Sequence, residues 1–147
     1  MYRIERIGNK HVTDWTDMML ELWEDNSHEI LKAEHVNLVN DERFGNFICY
    51  EDNDEAAGFI NMSLRSDYVE GAETSPVGYV EGIYVKSEHR RTGVGRSLLE
   101  RGAQWARQKG CTQIGADCSI DNALSQGFLS GAGFREAERV VCYIMDC

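Results

Sequence analysis

The segment Arg90–Gly95 has the composition and the flanks of an anion-binding turn. The run before it, Val80–Val85, is rich in β-branched and aromatic residues and predicts a strand. The run after it, Val94–Lys109, repeats apolar residues at helical spacing and predicts a helix. The first N–H groups of a helix have no intrahelical partner, and glycine lets a phosphate approach that backbone closely. Three arginines add cationic donors, namely Arg90, Arg91 and Arg96. The chemistry indicated is the binding of a ligand that carries a pyrophosphate.

Spacing separates the known kinds of phosphate-binding turn. A dinucleotide fingerprint needs a third small residue where this chain has Leu98, and a triphosphate P-loop needs a Gly-Lys-Ser/Thr step that is missing. The remaining pattern, R-x-x-G-x-G over residues 90–95, resembles the acetyl-coenzyme A loop of the GCN5-related N-acetyltransferases. In isolation the same six residues could also be an ordinary turn followed by a helix start.

The elements that would position this turn follow from periodicity. Apolar residues at helical spacing from Trp15 to Trp23 predict a helix with Thr13 as its N-cap, and a second helix is expected near Asn26 with Glu29 as capping-box partner. Residues 44–50 and 57–64 predict a hairpin around the polar turn 51–55. Further on we expect a strand at 112–118, a helix at 120–132, and closing strands at Phe134 and 139–145. This order predicts one domain over 1–147 with an α/β fold, a three-layer α/β/α sandwich around a mixed sheet.

Composition narrows the class of partner. The 147 residues carry 25 acids and 15 bases, a formal charge of −10, which argues against nucleic acid. This charge would attract a cationic substrate, although solubility alone could account for it. No apolar run approaches the ~20 residues that span a bilayer, so we expect no membrane partner. Five cysteines without a C-x-x-C pair, and no apolar signal core, favour free thiols, a cytoplasmic location and no bound metal.

Several segments beyond the turn are similar to those of the bacterial aminoglycoside 6'-N-acetyltransferases, in their short dimeric branch. These segments are 22–23, 65–71, 74–77, 81–85, Asp117, 121–122, 133–134 and 138–141. The resemblance implies the acyl-CoA N-acyltransferase fold with a splayed central sheet, acetyl-CoA as co-substrate and a homodimer. It implies contacts with acetyl-CoA at Ile83, Tyr84, Val85, Arg90, Arg91, Thr92, Gly93, Val94, Gly95 and Asn122. It implies contacts with the aminoglycoside at Trp23, Tyr68, Glu81, Asp117 and Glu138.

Carboxylates suit such an acceptor, because a polyammonium sugar needs charge-assisted hydrogen bonds. Four acids could supply them: Glu73, Glu81, Asp117 and Glu138. Glu81 lies in an apolar strand where an unpaired charge is costly, which favours a functional role. Glu73 and Glu138 could instead be solvated surface acids, and Asp117 could merely cap the next helix. Trp23 and Tyr68 could be core aromatics rather than stacking platforms for a sugar. The four histidines show no ligand spacing and are expected at the surface.

The expected reaction is direct attack of a neutral amine on the thioester carbonyl, helped by proximity and by a backbone N–H of the 83–85 strand. Asp117 is the first candidate to accept the ammonium proton, and Glu73 is the second. The wider superfamily places a tyrosine, which protonates the leaving thiolate, where this chain has Leu129. Either Tyr143 or a water could donate the proton instead, or the thiolate could leave without assistance.

Gly82 in the predicted strand indicates a bulge or a close backbone approach. The resemblance implies that this strand splays from its neighbour and binds the pantetheine arm, and a packing glycine is the other interpretation. Two competing functions also stay open, an acetyltransferase for another amine such as a polyamine or a peptide amine, and a non-catalytic acyl-CoA sensor.

Overall fold

A computed structural model describes residues 1–147 as a five-stranded sheet with helices on both faces. The strands are β1 (Tyr2–Arg6), β2 (Phe44–Glu51), β3 (Ala56–Arg65), β4 (Val77–Val85) and β5 (Ile114–Ala116), and they lie in sequence order. The first four are antiparallel, and β5 runs parallel to β4. The helices are α1 (Val12–Leu22), α2 (His28–Val36), α3 (Val94–Gln108) and α4 (Ala123–Gly131), with single 3-10 turns at Asn9–His11 and Ser87–His89. The mixed sheet, the predicted hairpin and all four helices are confirmed.

Two hydrophobic clusters give the sandwich its three layers. One lies between the sheet and α1 with α2, where Trp15, Met18 and Leu31 are buried. The other lies against α3, which contributes Leu98 and Trp105. Because side chains alternate along a strand, neighbouring residues of β2 enter opposite clusters.

The starts of α1 and α2 differ from the prediction by two residues and one residue. α1 begins at Val12, so Thr13 lies inside the helix and is not its cap. Ser27, not Asn26, caps α2, and its Oγ accepts a hydrogen bond from the Ile30 N–H at 3.2 Å. Both signals were local, and several adjacent polar residues could have served as caps.

A bulge in β4 changes which side chains face which layer. Asn61 of β3 pairs with Gly82, and the next residue, Met62, pairs with Val80, so Glu81 is the extra residue. Before the bulge Val80 packs in the α3-side cluster, whereas after it Ile83 takes that side. The bulge that Gly82 predicted is confirmed.

The sheet is also open at β4. β5 pairs only with Gly78–Val80, so no strand lies beside residues 81–85 on that edge. The splayed sheet that the resemblance implied is therefore present.

The predicted closing strands are absent, which corrects the sequence analysis. Phe134 lies outside any strand, half-buried against the α3-side cluster, and residues 139–145 form no strand and are exposed. Their run of β-branched and aromatic residues is a local signal, but a strand forms only where a neighbour can pair with its backbone. Within this chain nothing brings 139–145 to the free edge of β5.

The histidine prediction was wrong for two of the four side chains. His11 and His89 are only 4% and 6% exposed, and each has a buried Nε2 without a hydrogen-bond partner. Both lie in 3-10 turns, which have no periodicity that sequence could show.

No helix is both long enough and apolar enough to cross a bilayer.

Candidate active site

The turn between β4 and α3 has a backbone shaped to receive an anion. Arg91 and Gly93 both have positive φ, +63° and +89°, and Gly93 is the N-cap of α3. No atom lies within 4 Å of where a Gly93 side chain would begin, so the approach to the turn is open. Thr92 fixes the turn by donating its hydroxyl to the His89 carbonyl. The free N–H groups that start α3 therefore lie at a turn that is open to a ligand.

The three arginines of this turn are not equivalent. The Arg90 Nε donates to the Val85 carbonyl at 2.9 Å, which ties the turn to the end of β4. The Arg96 Nη2 donates to the Gly131 carbonyl at 3.0 Å, at the C-terminal end of α4. Arg91 is exposed and makes no hydrogen bond or ion pair, so its charge is the one free to meet a phosphate.

Gly95 has a different reason for its missing side chain. A Cβ there would lie 3.1 Å from Cε1 of Phe128 and 3.6 Å from Cγ2 of Val85. The residue therefore lets α3 pack closely against α4 as well as lying in the first turn of α3. The sequence interpretation, in which Gly95 only gave a phosphate access, missed this packing role.

The other residues predicted to contact the coenzyme lie around the open edge of β4. Ile83 and Val85 point toward the α3-side cluster, so their backbone is what remains for a ligand. Tyr84 points to the opposite face and donates its hydroxyl to Glu21 at 2.8 Å. Burial, and then this bond, raise the pKa of Tyr84 to about 12, so the hydroxyl stays protonated at neutral pH. Asn122 caps α4 by accepting from the Ser125 N–H at 3.0 Å.

Glu81 is paired, which corrects the argument that its charge stands alone. The Arg65 guanidinium donates two hydrogen bonds to the carboxylate, from Nε at 3.0 Å and from Nη2 at 2.8 Å. The Ser63 hydroxyl donates a third. This ion pair joins two neighbouring strands, so spacing along the sequence could not predict it. It compensates much of the negative charge of Glu81 that a substrate would otherwise meet.

Asp117 immediately follows β5 and accepts a hydrogen bond from the Tyr79 hydroxyl. The Arg65 guanidinium lies 3.4 Å above the Tyr79 ring, so Glu81, Arg65, Tyr79 and Asp117 form one connected row. Burial first, and the Asp117 bond second, raise the pKa of Tyr79 far above its ordinary value, so Tyr79 remains a donor. Asp117 does not cap α4, since Asn122 does, and the capping alternative is excluded.

The loop 66–76 packs beside this row, because its Val69 joins Tyr79 in a small hydrophobic cluster. Glu73 donates its N–H to Gln113 at 2.7 Å, which ties the loop to the start of β5 and leaves the carboxylate exposed. Tyr68 is 78% exposed, so it is no core aromatic. A Cβ on Gly71 would lie 2.6 Å from that of Ala137, which places Glu138 beside the same loop. The sequence analysis missed Ser63, Arg65 and Tyr79, whose spacing gave no sign that they meet Glu81 and Asp117.

Trp23 follows α1 and packs against the bulge of β4. Its Cη2 lies 2.8 Å from where a Gly82 side chain would begin, so Gly82 is also a packing glycine. The indole is half-buried and lines a surface hollow with three acids that the sequence analysis did not single out, Glu21, Glu24 and Asp25. The hollow and the row around Asp117 both adjoin β4 on the face opposite α3.

Comparison with known proteins agrees with this geometry. The profile of the acetyltransferase (GNAT) family matches residues 9–134. The chain belongs to the GNAT acetyltransferase family. The aminoglycoside N(6')-acetyltransferase type 1 of Acinetobacter haemolyticus is 37% identical over 141 residues, 95% of each chain. That of Salmonella typhimurium is 32% identical over 144 residues, 98% of this chain and 99% of the relative.

Solved structures of this family superpose closely on the chain. AAC(6')-Iy in complex with the bisubstrate analogue CoA-S-monomethyl-acetylneamine has a TM-score of 0.95 and 31% identity, covering 100% of this chain and 99% of the other. AAC(6')-Ih of Acinetobacter baumannii gives the same TM-score, identity and coverage. The splayed sheet, the open turn and the α3 start are therefore those of a GNAT enzyme fold.

Proposed function

We propose that this GNAT family member transfers the acetyl group of acetyl-CoA to the 6'-amino group of aminoglycosides, a reaction that confers resistance. The arrangement of groups around β4 carries the proposal. A turn suited to an anion follows the open edge of this strand, and a surface rich in carboxylates lies on the sheet face opposite α3. The turn suits a pyrophosphate and the acidic face suits a polyammonium sugar. The near full-length similarity to aminoglycoside acetyltransferases supports this choice among amines.

The coenzyme half uses the turn and the strand edge. The free N–H groups of Gly95 and its neighbours at the start of α3, with the Arg91 guanidinium, hold the pyrophosphate. The unpaired backbone of Ile83–Val85 binds the pantetheine arm and donates an N–H to the thioester oxygen as charge develops on it. Asn122 keeps its amide N–H₂ free while its oxygen caps α4, so the amide can donate to the coenzyme.

The acceptor half holds the sugar and removes a proton. Trp23 and Tyr68 offer ring faces, and the carboxylates of Glu73 and Glu138 meet the ammonium groups. Glu81, already held by Arg65, contributes only the acceptor capacity that this pair leaves. Asp117 is the proposed base, because the neighbouring Tyr79 is kept protonated and cannot take the proton. Asp117 takes one proton from the ammonium group, and the neutral nitrogen bonds to the acetyl carbon as the carbon–sulfur bond breaks. The second N–H proton leaves the nitrogen to solvent or, through water, to the thiolate.

The leaving thiolate has no side chain assigned to protonate it. Leu129 cannot donate a proton, and Tyr143 is 91% exposed in the tail of this chain. A free thiol has a pKa of only ~8.5, so departure as thiolate or protonation by water is chemically accessible.

A direct assay tests the function. Release of free thiol from acetyl-CoA is followed with kanamycin, spermidine or a lysine peptide as acceptor. We expect rapid release with kanamycin only, and mass spectrometry should place one acetyl group on the 6'-nitrogen. Release with spermidine or the peptide instead would show an acetyltransferase for another amine. Binding of acetyl-CoA without release by any acceptor would show a sensor.

The free arginine gives a prediction for the coenzyme half. Arg91→Ala should raise the KM for acetyl-CoA about tenfold, the effect of losing one charge-assisted contact, with a small change in kcat. Arg107→Ala, which removes an equal charge in the last turn of α3, is the matched control and should leave both constants unchanged. An equal KM in the two variants would remove Arg91 from the site.

We further propose that the chain works as a homodimer in the cytoplasm. Five apolar residues of the tail are 61% to 98% exposed, namely Val140, Val141, Tyr143, Ile144 and Met145. β5 has only three residues and a free outer edge within the chain. An exposed apolar segment and an unpaired strand edge are what a second copy would cover. The five free thiols support a reducing compartment.

Light scattering tests the dimer. The wild-type protein should have twice the 16.7 kDa chain mass in solution. The double variant Val141→Asp, Ile144→Asp should have the mass of one chain. Ile30→Asp, at an apolar residue that is 52% exposed on α2, is the control and should stay dimeric. A wild-type monomer at micromolar concentration would overturn the proposal.

A further inference from the structure

His89 presents a buried imidazole nitrogen that nothing in the chain satisfies. The side chain is 7% exposed, and its Nε2 has no hydrogen-bond partner. A buried polar atom without a partner is costly and rare in native proteins. Its surroundings therefore indicate what would satisfy it.

Two carboxylates of the β2–β3 turn face this nitrogen. The Glu55 Oε1 lies 3.7 Å from His89 Nε2, and one oxygen of Glu51 lies with both inside a 4.8 Å cluster. The other acids of the turn already have cations, since Asp52 pairs with the amino terminus and Asp54 pairs with Arg3. Neither Glu51 nor Glu55 pairs with a lysine or an arginine.

The other nitrogen of His89 is held by Tyr2, whose hydroxyl lies 3.1 Å from Nδ1. When Nδ1 donates to this oxygen, Nε2 carries a lone pair and points at two acceptors. Such an outer partner on the second ring nitrogen is the usual arrangement of a metal-binding histidine. With His89 neutral in this tautomer, three acceptor atoms converge without a donor, and a cation between them would satisfy all three.

We propose that Glu51, Glu55 and His89 bind a divalent transition-metal ion of the Zn²⁺ class. One imidazole and two carboxylates suit such an ion and leave a position for water. Ligand bonds of ~2.0–2.2 Å place two tetrahedral ligands ~3.3–3.6 Å apart, close to the separation found here. A charge-assisted hydrogen bond would be much shorter, at ~2.7–2.9 Å.

The ion would act as a clamp and take no part in acetyl transfer. It would join the β2–β3 turn to the residue that immediately precedes Arg90, where the coenzyme turn begins. The proposal departs from the sequence-based expectation of no metal. Its ligands come from two distant segments, so no spacing in the sequence could reveal them.

Calorimetric titration with Zn²⁺ tests the site in the full-length protein without an affinity tag. The background carries Cys142→Ser and Cys147→Ser, because these exposed thiols would compete for the ion. We expect one Zn²⁺ per chain and a rise in the melting midpoint of ~5–10 °C at a hundredfold excess over Kd. Nitrogen-15 spectra should show the His89 Nε2 resonance moving, while that of His28 stays in place.

Matched variants separate a built site from surface binding. Glu55→Gln should abolish saturable binding, and Tyr2→Phe should weaken it ~10- to 100-fold through the lost outer contact. Asp52→Asn removes an equal charge from the same turn and should bind like the background. No Zn²⁺ binding, equal loss in Glu55→Gln and Asp52→Asn, or an unmoved His89 resonance would each overturn the proposal. These readouts do not depend on the acetyltransferase assay.

Discussion

Asp117→Asn is expected to lower kcat by roughly 10²–10⁴-fold, the usual effect of losing positioned acid–base catalysis. The variant should fold like the wild type, because an asparagine oxygen can still accept the Tyr79 hydroxyl that Asp117 accepts. What it loses is the negative charge and the ability to take a proton from the ammonium group. Initial rates with kanamycin and acetyl-CoA, each varied at saturating partner, give the constants that check this.

The pH profile distinguishes a base from a binding group. If Asp117 is the base, the low-pH limb should change in Asp117→Asn, with partial recovery at high pH, where more of the amine is already neutral. If the carboxylate only holds the substrate, the KM for kanamycin should rise while kcat stays near the wild-type value. Tyr79→Phe keeps the carboxylate and removes its donor, so it should retain most of the turnover. Wild-type constants in Asp117→Asn would exclude the residue, and Glu73 would then be the base to test.

The strand, turn and helix where we propose that the coenzyme binds were predictable because they are consecutive in the chain. A strand, a turn and a helix start occupy residues 77–108, so composition and spacing along one stretch specify the geometry. The structure adds what spacing cannot show, namely that Arg90 and Arg96 are engaged by backbone carbonyls and that Arg91 is free.

The acceptor half depends on contacts between distant segments. Arg65 of β3 pairs with Glu81 of β4, and Tyr79 of β4 donates to Asp117, which follows β5. The two carboxylates therefore look alike in sequence but differ in their partners. The burial of His89 has the same origin, since β1 and the β2–β3 turn enclose a residue far along the chain. Residues 139–145 failed as a predicted strand for a related reason, because the pattern specifies a tendency and the neighbour decides whether pairing occurs.

The close contact between β2 and α3 gives a second prediction with a large effect. Gly45 is buried, and a Cβ there would clash with Cδ2 and Cε2 of Trp105. The Trp105 ring is 3% exposed and belongs to the α3-side cluster, so it cannot swing aside without opening that cluster. Gly45→Ala should therefore lower the free energy of unfolding by ~1–3 kcal/mol, as overpacking does.

Gly127→Ala is the matched control with the opposite expected sign. Gly127 lies in the middle of α4, and no atom comes within 4 Å of its missing side chain, so alanine adds helix propensity without a clash. We expect a gain of up to ~1 kcal/mol. Urea unfolding of both variants at one protein concentration measures the two changes, and the fixed concentration prevents dimerisation from shifting either midpoint. A Gly45→Ala variant as stable as the wild type would contradict the close approach of β2 to Trp105, because no other neighbour of residue 45 requires a glycine there.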